Sequence, residues 1–283
     1  MIRKAGMEDA GAIAAFLEGH IETSMFLLGN LEAHGTDDRD HVHGTAFFLR
    51  ETGEGITGVF GATNGGFLLC QLPGLTATEA QTYAHLLKGY TLSGMSGAAE
   101  QVQTVVEALP VRAEAWQMNA VQPLFRRAVG PGGDHAGVRR AEAADVPALV
   151  PWFRDLMAET GVQDPGDPDE VARARAARSV LAGRLWLLED DGVPVAMAGI
   201  NARAGSAVQL GSVWTPPEAR RRGYARRVIA GMLAELAGEG VTRAMLFSAS
   251  DGASEMYEGL GFERCGDYRV ALLAQPVTLG NPA

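Results

Sequence analysis

Cysteine occurs only twice in this 283-residue chain, at Cys70 and Cys265, too sparsely for a disulfide framework or a zinc cluster. Both fall in apparent strands, where a free buried thiol is ordinary. Lysine is as scarce, since Lys4 and Lys88 are the only lysines among 24 basic side chains. Against these stand 34 acidic side chains, for a formal charge of −10. That balance argues against nucleic acid as a partner, because such affinity rests on neutralising phosphates. No apolar run approaches the roughly 20 residues that span a membrane. The start Met1-Ile2-Arg3-Lys4-Ala5-Gly6 lacks a secretory apolar core, so a cytoplasmic, soluble protein without a membrane partner is expected. Also missing are a Gly-x-Gly-x-x-Gly turn, a Walker lysine and a Gly-x-Ser-x-Gly elbow, which removes dinucleotide oxidoreductases, P-loop enzymes and serine hydrolases of that type. All six histidines lie between positions 20 and 135, so the second half brings no histidine base of its own.

What is present centres on Val213-Trp214-Thr215-Pro216-Pro217-Glu218-Ala219-Arg220-Arg221-Arg222-Gly223-Tyr224-Ala225. Before it, Ala207 to Val213 carries Val208, Leu210 and Val213 and reads as a strand. After it, Val228, Ile229, Met232, Leu233 and Leu236 recur at helical spacing, with Arg226, Arg227, Glu235 and Glu239 off that stripe. The first N–H groups of such a helix lack intrahelical partners and its dipole adds positive charge, so the turn offers an anion site. Gly223 permits close approach of a phosphate to the backbone, and the arginines add fixed charge.

Downstream, Ala244-Met245-Leu246-Phe247 reads as a buried strand. A helix follows with Ala253, Met256, Tyr257 and Leu260 on one face, ended by Gly261, with Phe262 positioned to pack back on its last turn. Arg-x-x-Gly-x-Ala followed by Tyr-x-x-x-Gly-Phe resembles the GNAT superfamily of N-acetyltransferases. The resemblance covers roughly Val138 to Leu273, and Thr215 to Ala225 looks like a bacterial subgroup with two GNAT-like halves.

That resemblance implies acetyl-CoA as co-substrate, no metal, and an α/β (α+β) fold of two GNAT-like domains, each a mixed, mostly antiparallel central sheet flanked by helices. Val213 and Thr215 then match the strand end whose backbone lies along the pantetheine arm. Arg220, Arg221, Arg222, Gly223, Tyr224, Ala225 and Arg226 match the pyrophosphate turn. Tyr257 matches the position of a general acid, and a phenol with pKa near about 10 stays protonated where a thiol titrates near about 8.5. Two departures stand out. Ser250 occupies the place of an asparagine that touches coenzyme in many relatives, followed here by Asp251. The strand Ala207 to Val213 offers only Gln209 and Ser212 as polar groups, so no general base is assigned.

The first half echoes the second. Ile2-Arg3-Lys4-Ala5 with Asp9, Ala12, Ile13 and Phe16 recurs as Val138-Arg139-Arg140-Ala141 with Asp145, Ala148, Leu149 and Trp152 at a constant offset. Each copy reads as a basic strand, an Asp able to cap a helix, and an amphipathic helix. Hairpin patterns follow in both, around Glu54-Gly55 and Asp191-Gly192. Gly130 to Gly137 has nothing apolar enough to bury, so the division expected is a domain over 1–128, a linker over 129–137 and a catalytic domain over 138–283. Where the second half has its arginine turn, the first has Leu69 to Glu79 without a basic residue, with Thr76 or Thr78 as a helix cap and Glu79 placed to repel phosphate. This half is expected to keep the fold and lack the coenzyme site. It also holds most of the acidic excess, with 8 basic and 15 acidic side chains in residues 1–137. His41-Val42-His43 after Asp37, Asp38 and Asp40 reads as a polar loop leading into a strand, not as a metal site.

The expected activity is acetyl transfer from acetyl-CoA to an amine of a small-molecule acceptor, unidentified by sequence because acceptor sites lie on variable loops. Alternatives are a tandem acyltransferase of an amino-sugar conjugate or thiol precursor, and a CoA-binding sensor or interaction module that moves no acyl group. The oligomeric state is open.

Overall fold

A computed structural model describes residues 1–132, 136–161 and 166–280. The chain forms two compact units, one of Met1–Pro123 together with the C-terminal segment from Gly266, the other of Leu124–Cys265.

The first unit contains β1 (Ile2–Lys4), α1 (Ala10–Glu18), α2 (Ile21–His34), β2 (Thr45–Thr52), β3 (Gly55–Thr63), β4 (Phe67–Gln71), α3 (Ala77–Leu86), β5 (Thr91–Ala98) and α4 (Ala99–Ala108). Then β6 (Trp116–Ala128) carries the chain across the unit boundary. The second unit continues with β7 (Val138–Arg140), α5 (Val146–Thr160), α6 (Pro168–Leu181), β8 (Leu185–Asp190), β9 (Val193–Ala204), β10 (Ala207–Trp214), α7 (Tyr224–Gly238), β11 (Arg243–Phe247) and α8 (Asp251–Glu258). Finally, β12 (Glu263–Thr278) crosses back.

In the first unit the strand order is β1-β2-β3-β4-β5-β12, with only β4 and β5 parallel. In the second it is β7-β8-β9-β10-β11-β6, again with one parallel pair, β10 and β11. The expected mixed, mostly antiparallel sheet flanked by helices is therefore the fold. The division at 128 and 138 departs from the compact units: Leu124–Ala128 pair with Arg243–Phe247 of β11, and Tyr268–Thr278 pair with β5, so each strand follows its hydrogen-bond partners across the linear boundary. Of the linker over 129–137, residues 133–135 lie outside the described residues.

The cores follow from strand alternation. Leu185 and Leu187 of β8 face α5 and α6, joining Leu149, Phe153, Met157, Ala172 and Ala176. Their neighbours Trp186 and Leu188 face the opposite side and join Val228, Ile229, Met232 and Leu236 of α7. Both faces are covered, so β8 reads as an unbroken apolar run. In the first unit, Phe60, Leu68 and Cys70 pack with Ala80, Tyr83, Val102 and Val105 of α3 and α4.

Asp9 and Asp145 precede α1 and α5 but their side chains cap neither helix. Each is taken instead by an arginine six residues earlier and by the backbone N–H three residues earlier.

Candidate functional site

The parallel strands β10 and β11 pair only from Ala207/Arg243 to Gln209/Met245, although β10 continues to Trp214 and β11 to Phe247. Against β9, β10 shifts register twice, after Gln209 and after Gly211. Gly211 lies so close to Asn201 that a Cβ would fall 2.2 Å from its amide nitrogen, and Ser212 adopts a left-handed φ of 51°. A strand bent in this way leaves its parallel partner, and gaps at the carboxyl ends of parallel strands are where α/β sheets receive ligands.

At that place lies a cavity of 740 Å³. One wall is the end of β10, with Val213, Trp214 and Thr215; another is the turn from Ala219 to Arg226; a third is the first turns of α8, with Gly252, Ala253 and Met256. Glu159, in the last turn of α5, also lines it.

The turn is built for an anion. Gly223 occupies the N-cap position of α7 at φ 78°, a conformation natural to glycine, and offers no side chain to cap the helix. The leading N–H groups of α7 are left to an outside acceptor. Arg221 is held at φ 64°, a region that costs a non-glycine residue about 1–3 kcal/mol and persists only where its surroundings impose it. Among the described residues, Arg221 and Arg222 make no ion pair or hydrogen bond. Arg226 is placed by α8, its guanidinium lying against Gly259.

The structure brings Val213, Thr215, Arg220, Arg221, Gly223, Tyr224, Ala225 and Arg226 to one cavity. Arg222, Ser250 and Tyr257 are not among its lining residues. Ser250 has another task, accepting a hydrogen bond from the Ala253 N–H at 3.3 Å as the N-cap of α8. Arg220 is committed three ways, donating to the Thr215 carbonyl at 3.0 Å and to Glu159 at 2.7 Å while lying 4.7 Å from the centre of the Trp214 ring. Tyr224 donates its hydroxyl to Asp190 at 2.5 Å, a tie from helix start to hairpin. Tyr257 is 7% exposed, meets Phe262 edge-on at 5.8 Å, and has its phenol pushed up to about 12 by burial. Gly252, Ala253 and Met256 are the α8 residues that reach the cavity. Sequence reasoning passed over Glu159, Asp190 and Trp214 as site elements, the first two because their partners lie far along the chain.

The first unit differs at the corresponding place. Its parallel pair β4 and β5 stays matched from Phe67/Gly94 to Cys70/Gly97, so no gap opens. The N-terminus of α3 is closed by a capping box, in which Thr76 accepts from the Glu79 N–H and Glu79 accepts from the Thr76 N–H. Glu79 further engages Arg50. His41 and His43 lie in an exposed turn, His41 stacked on His34 with ring centres 4.1 Å apart, and no set of metal-ligating groups occurs among the described residues. No described helix is long and apolar enough to cross a membrane.

Residues 149–262 match the family model described as Acetyltransferase (GNAT) family. The chain carries a GNAT acetyltransferase domain. The cavity and its arginine turn fall inside that domain, whose family supports acetyltransferase activity. Solved structures similar to the chain agree in fold. A GCN5-related N-acetyltransferase from Kribbella flavida superposes with a TM-score of 0.53 at 18% identity, covering 90% of this chain and 95% of that one. A GNAT-family acetyltransferase from Colwellia psychrerythraea gives 0.52 at 12% identity over 96% and 99%. A GCN5-related N-acetyltransferase from Sphaerobacter thermophilus gives 0.52 at 14% identity over 100% and 97%. At such identities the likeness shows the fold. No curated protein sequence matches the chain.

Proposed function

We propose that the second unit binds acetyl-CoA in the 740 Å³ cavity and transfers its acetyl group to the amine of a small-molecule acceptor. The observation that carries this reading is the α7 N-terminus: an uncapped helix start at Gly223, beside the unpaired cation of Arg221, at the open end of two parted parallel strands. Pyrophosphate suits both the N–H groups and the charge. The thioester arm then runs back toward Val213 and Thr215. In the coenzyme-free protein Arg220 is engaged by Glu159, so the first contacts to the pyrophosphate fall to the backbone of residues 223–226 and to Arg221, with Arg222 adding charge from outside the wall.

The acceptor attacks as a neutral amine, its nitrogen forming the C–N bond while the C–S bond breaks and the electron pair leaves on sulfur; the proton shed by the nitrogen balances the one that the thiolate takes up from solvent to become the CoA thiol. Tyr257 is the proposed donor at the sulfur. Burial holds its phenol protonated at every working pH, and the same burial makes it a weak acid. Full transfer to a thiolate of ordinary pKa, about 8.5, therefore runs uphill, and a hydrogen bond donated to the departing sulfur is the role that fits.

The first unit, in this reading, is a second GNAT-like domain without a coenzyme site, a reading supported by its matching strand order, its closed β4–β5 pair and its self-capped α3. Calorimetry with acetyl-CoA tests the assignment. One molecule per chain is expected, with about 2.7 kcal/mol of added stability at 100 times the dissociation constant. Gly223→Asp, which sets an L side chain at a left-handed φ and a carboxylate against phosphate, is expected to abolish binding. Parent-like affinity in that variant overturns the site.

A further inference from the structure

Among the described residues that line the cavity, Glu159 is the single carboxylate, and it is paired with Arg220. The pair is half-exposed, the side chains being 40% exposed for Arg220 and 56% for Glu159, and such pairs are weak. Arg220 at the same time lies over the Trp214 ring and bonds the Thr215 carbonyl. Among the described residues, Trp214 Nε1 and Thr215 Oγ1 are both buried without a hydrogen-bond partner. Unsatisfied buried polar atoms beside the arginine are costly to keep, and a guanidinium held by a weak ion pair is easily drawn elsewhere. The same turn contains the anion site, so Arg220 stands between two competing negative groups.

We propose that Glu159 recognises a cationic group of the acceptor, and that Arg220 covers this carboxylate until coenzyme pyrophosphate draws the guanidinium away. The inference rests on the acetyl-CoA reading above and gives it a substrate class. A diphosphate carries more charge than one carboxylate and accepts a planar guanidinium in bidentate fashion. When Arg220 turns to it, Glu159 is left as an uncompensated negative charge on the wall. The reacting amine must be neutral, so the cation held by Glu159 is a second, non-reacting one. The acceptor class is thus a diamine or a similar molecule with two basic nitrogens.

Calorimetry on the full chain tests this, with acetyl-CoA titrated into the parent protein and into Glu159→Gln, and 1,4-diaminobutane titrated into each with and without saturating CoA. Glu159→Gln releases Arg220, so acetyl-CoA is expected to bind about two- to fivefold tighter than to the parent. In the parent, CoA is expected to raise the affinity for 1,4-diaminobutane, and in Glu159→Gln this gain is expected to vanish. Failure of acetyl-CoA to bind the parent counts against the coenzyme reading itself. Equal acetyl-CoA affinities in the two proteins, or a diamine affinity that CoA does not raise in the parent, overturns the inference while leaving that reading in place.

Discussion

Arg139 holds Asp145 in a two-pronged grip, its two terminal nitrogens donating to the two carboxylate oxygens at 2.8 and 2.9 Å. Arg3 holds Asp9 in the same manner at 2.7 and 2.8 Å. Each arginine reaches a second carboxylate on the neighbouring strand, Glu189 in one case and Glu51 in the other. The hydrogen bonds from Arg139 keep the Asp145 carboxyl below the usual carboxylate range. A depressed folded pKa contributes stability above the unfolded value, near about 3.9, that is lost as pH falls through the lower folded value. Asp145→Asn is therefore expected to cost about 1 kcal/mol at pH 7, with the difference from the parent shrinking below pH 3. Urea denaturation at the two pH values measures it.

Tyr257→Phe removes the hydroxyl and keeps the edge-on contact with Phe262. Acetyl-CoA affinity is expected to stay within twofold while turnover falls by about tenfold to a thousandfold. Pre-steady-state kinetics, with chemistry shown to limit the rate, is the measurement. Unchanged turnover makes Tyr257 a packing residue.

Two glycines of α7 are expected to respond in opposite directions. A Cβ on Gly231 would lie 2.6 Å from a methyl of Val138, so Gly231→Ala forces β7 away from the helix and is expected to cost about 1–3 kcal/mol. At Gly238 nothing lies within 4 Å, and Gly238→Ala is expected to gain up to about 1 kcal/mol through helix propensity alone. Thermal melts of both variants decide this.

In the first unit, Thr76→Ala breaks the capping box with Glu79. The expected loss is about 1 kcal/mol of stability, with acetyl-CoA affinity unchanged by calorimetry. A weakened coenzyme would place a ligand site in the first unit after all.

Local signals in the chain were readable and distant ones were not. Asp191-Gly192 reads as a tight primed turn, and both residues adopt positive φ, at 50° and 76°. Thr76 or Thr78 reads as a cap, and Thr76 is the one that serves. The arginine turn between strand and helix lies where the motif spacing puts it, because Gly223 and the prolines before it act through their own backbone. Ser250 stands where many relatives have an asparagine that touches coenzyme, and in the structure its hydroxyl caps α8, since a serine before a helix finds the nearest free N–H first. The Arg220–Glu159 and Tyr224–Asp190 contacts join residues 61 and 34 positions apart, and no periodicity or spacing announces such a pair. The fate of β6 and β12 escaped for the same reason: which edge a strand joins is settled by the partners available.

That exchange of edges bears on how the protein is made. As the chain leaves the ribosome, Thr91–Ala98 emerges long before Tyr268–Thr278, the segment that pairs with it, so the first sheet waits with an open side until nearly all of the polypeptide has been synthesised. Bringing such distant segments together slows folding, and an unpaired strand edge invites strangers in the meantime. A ribosome that stalls near residue 260 would hold a nascent first unit lacking its last strand. Delayed completion, rather than marginal stability, is then the step at which chaperones would matter to this chain.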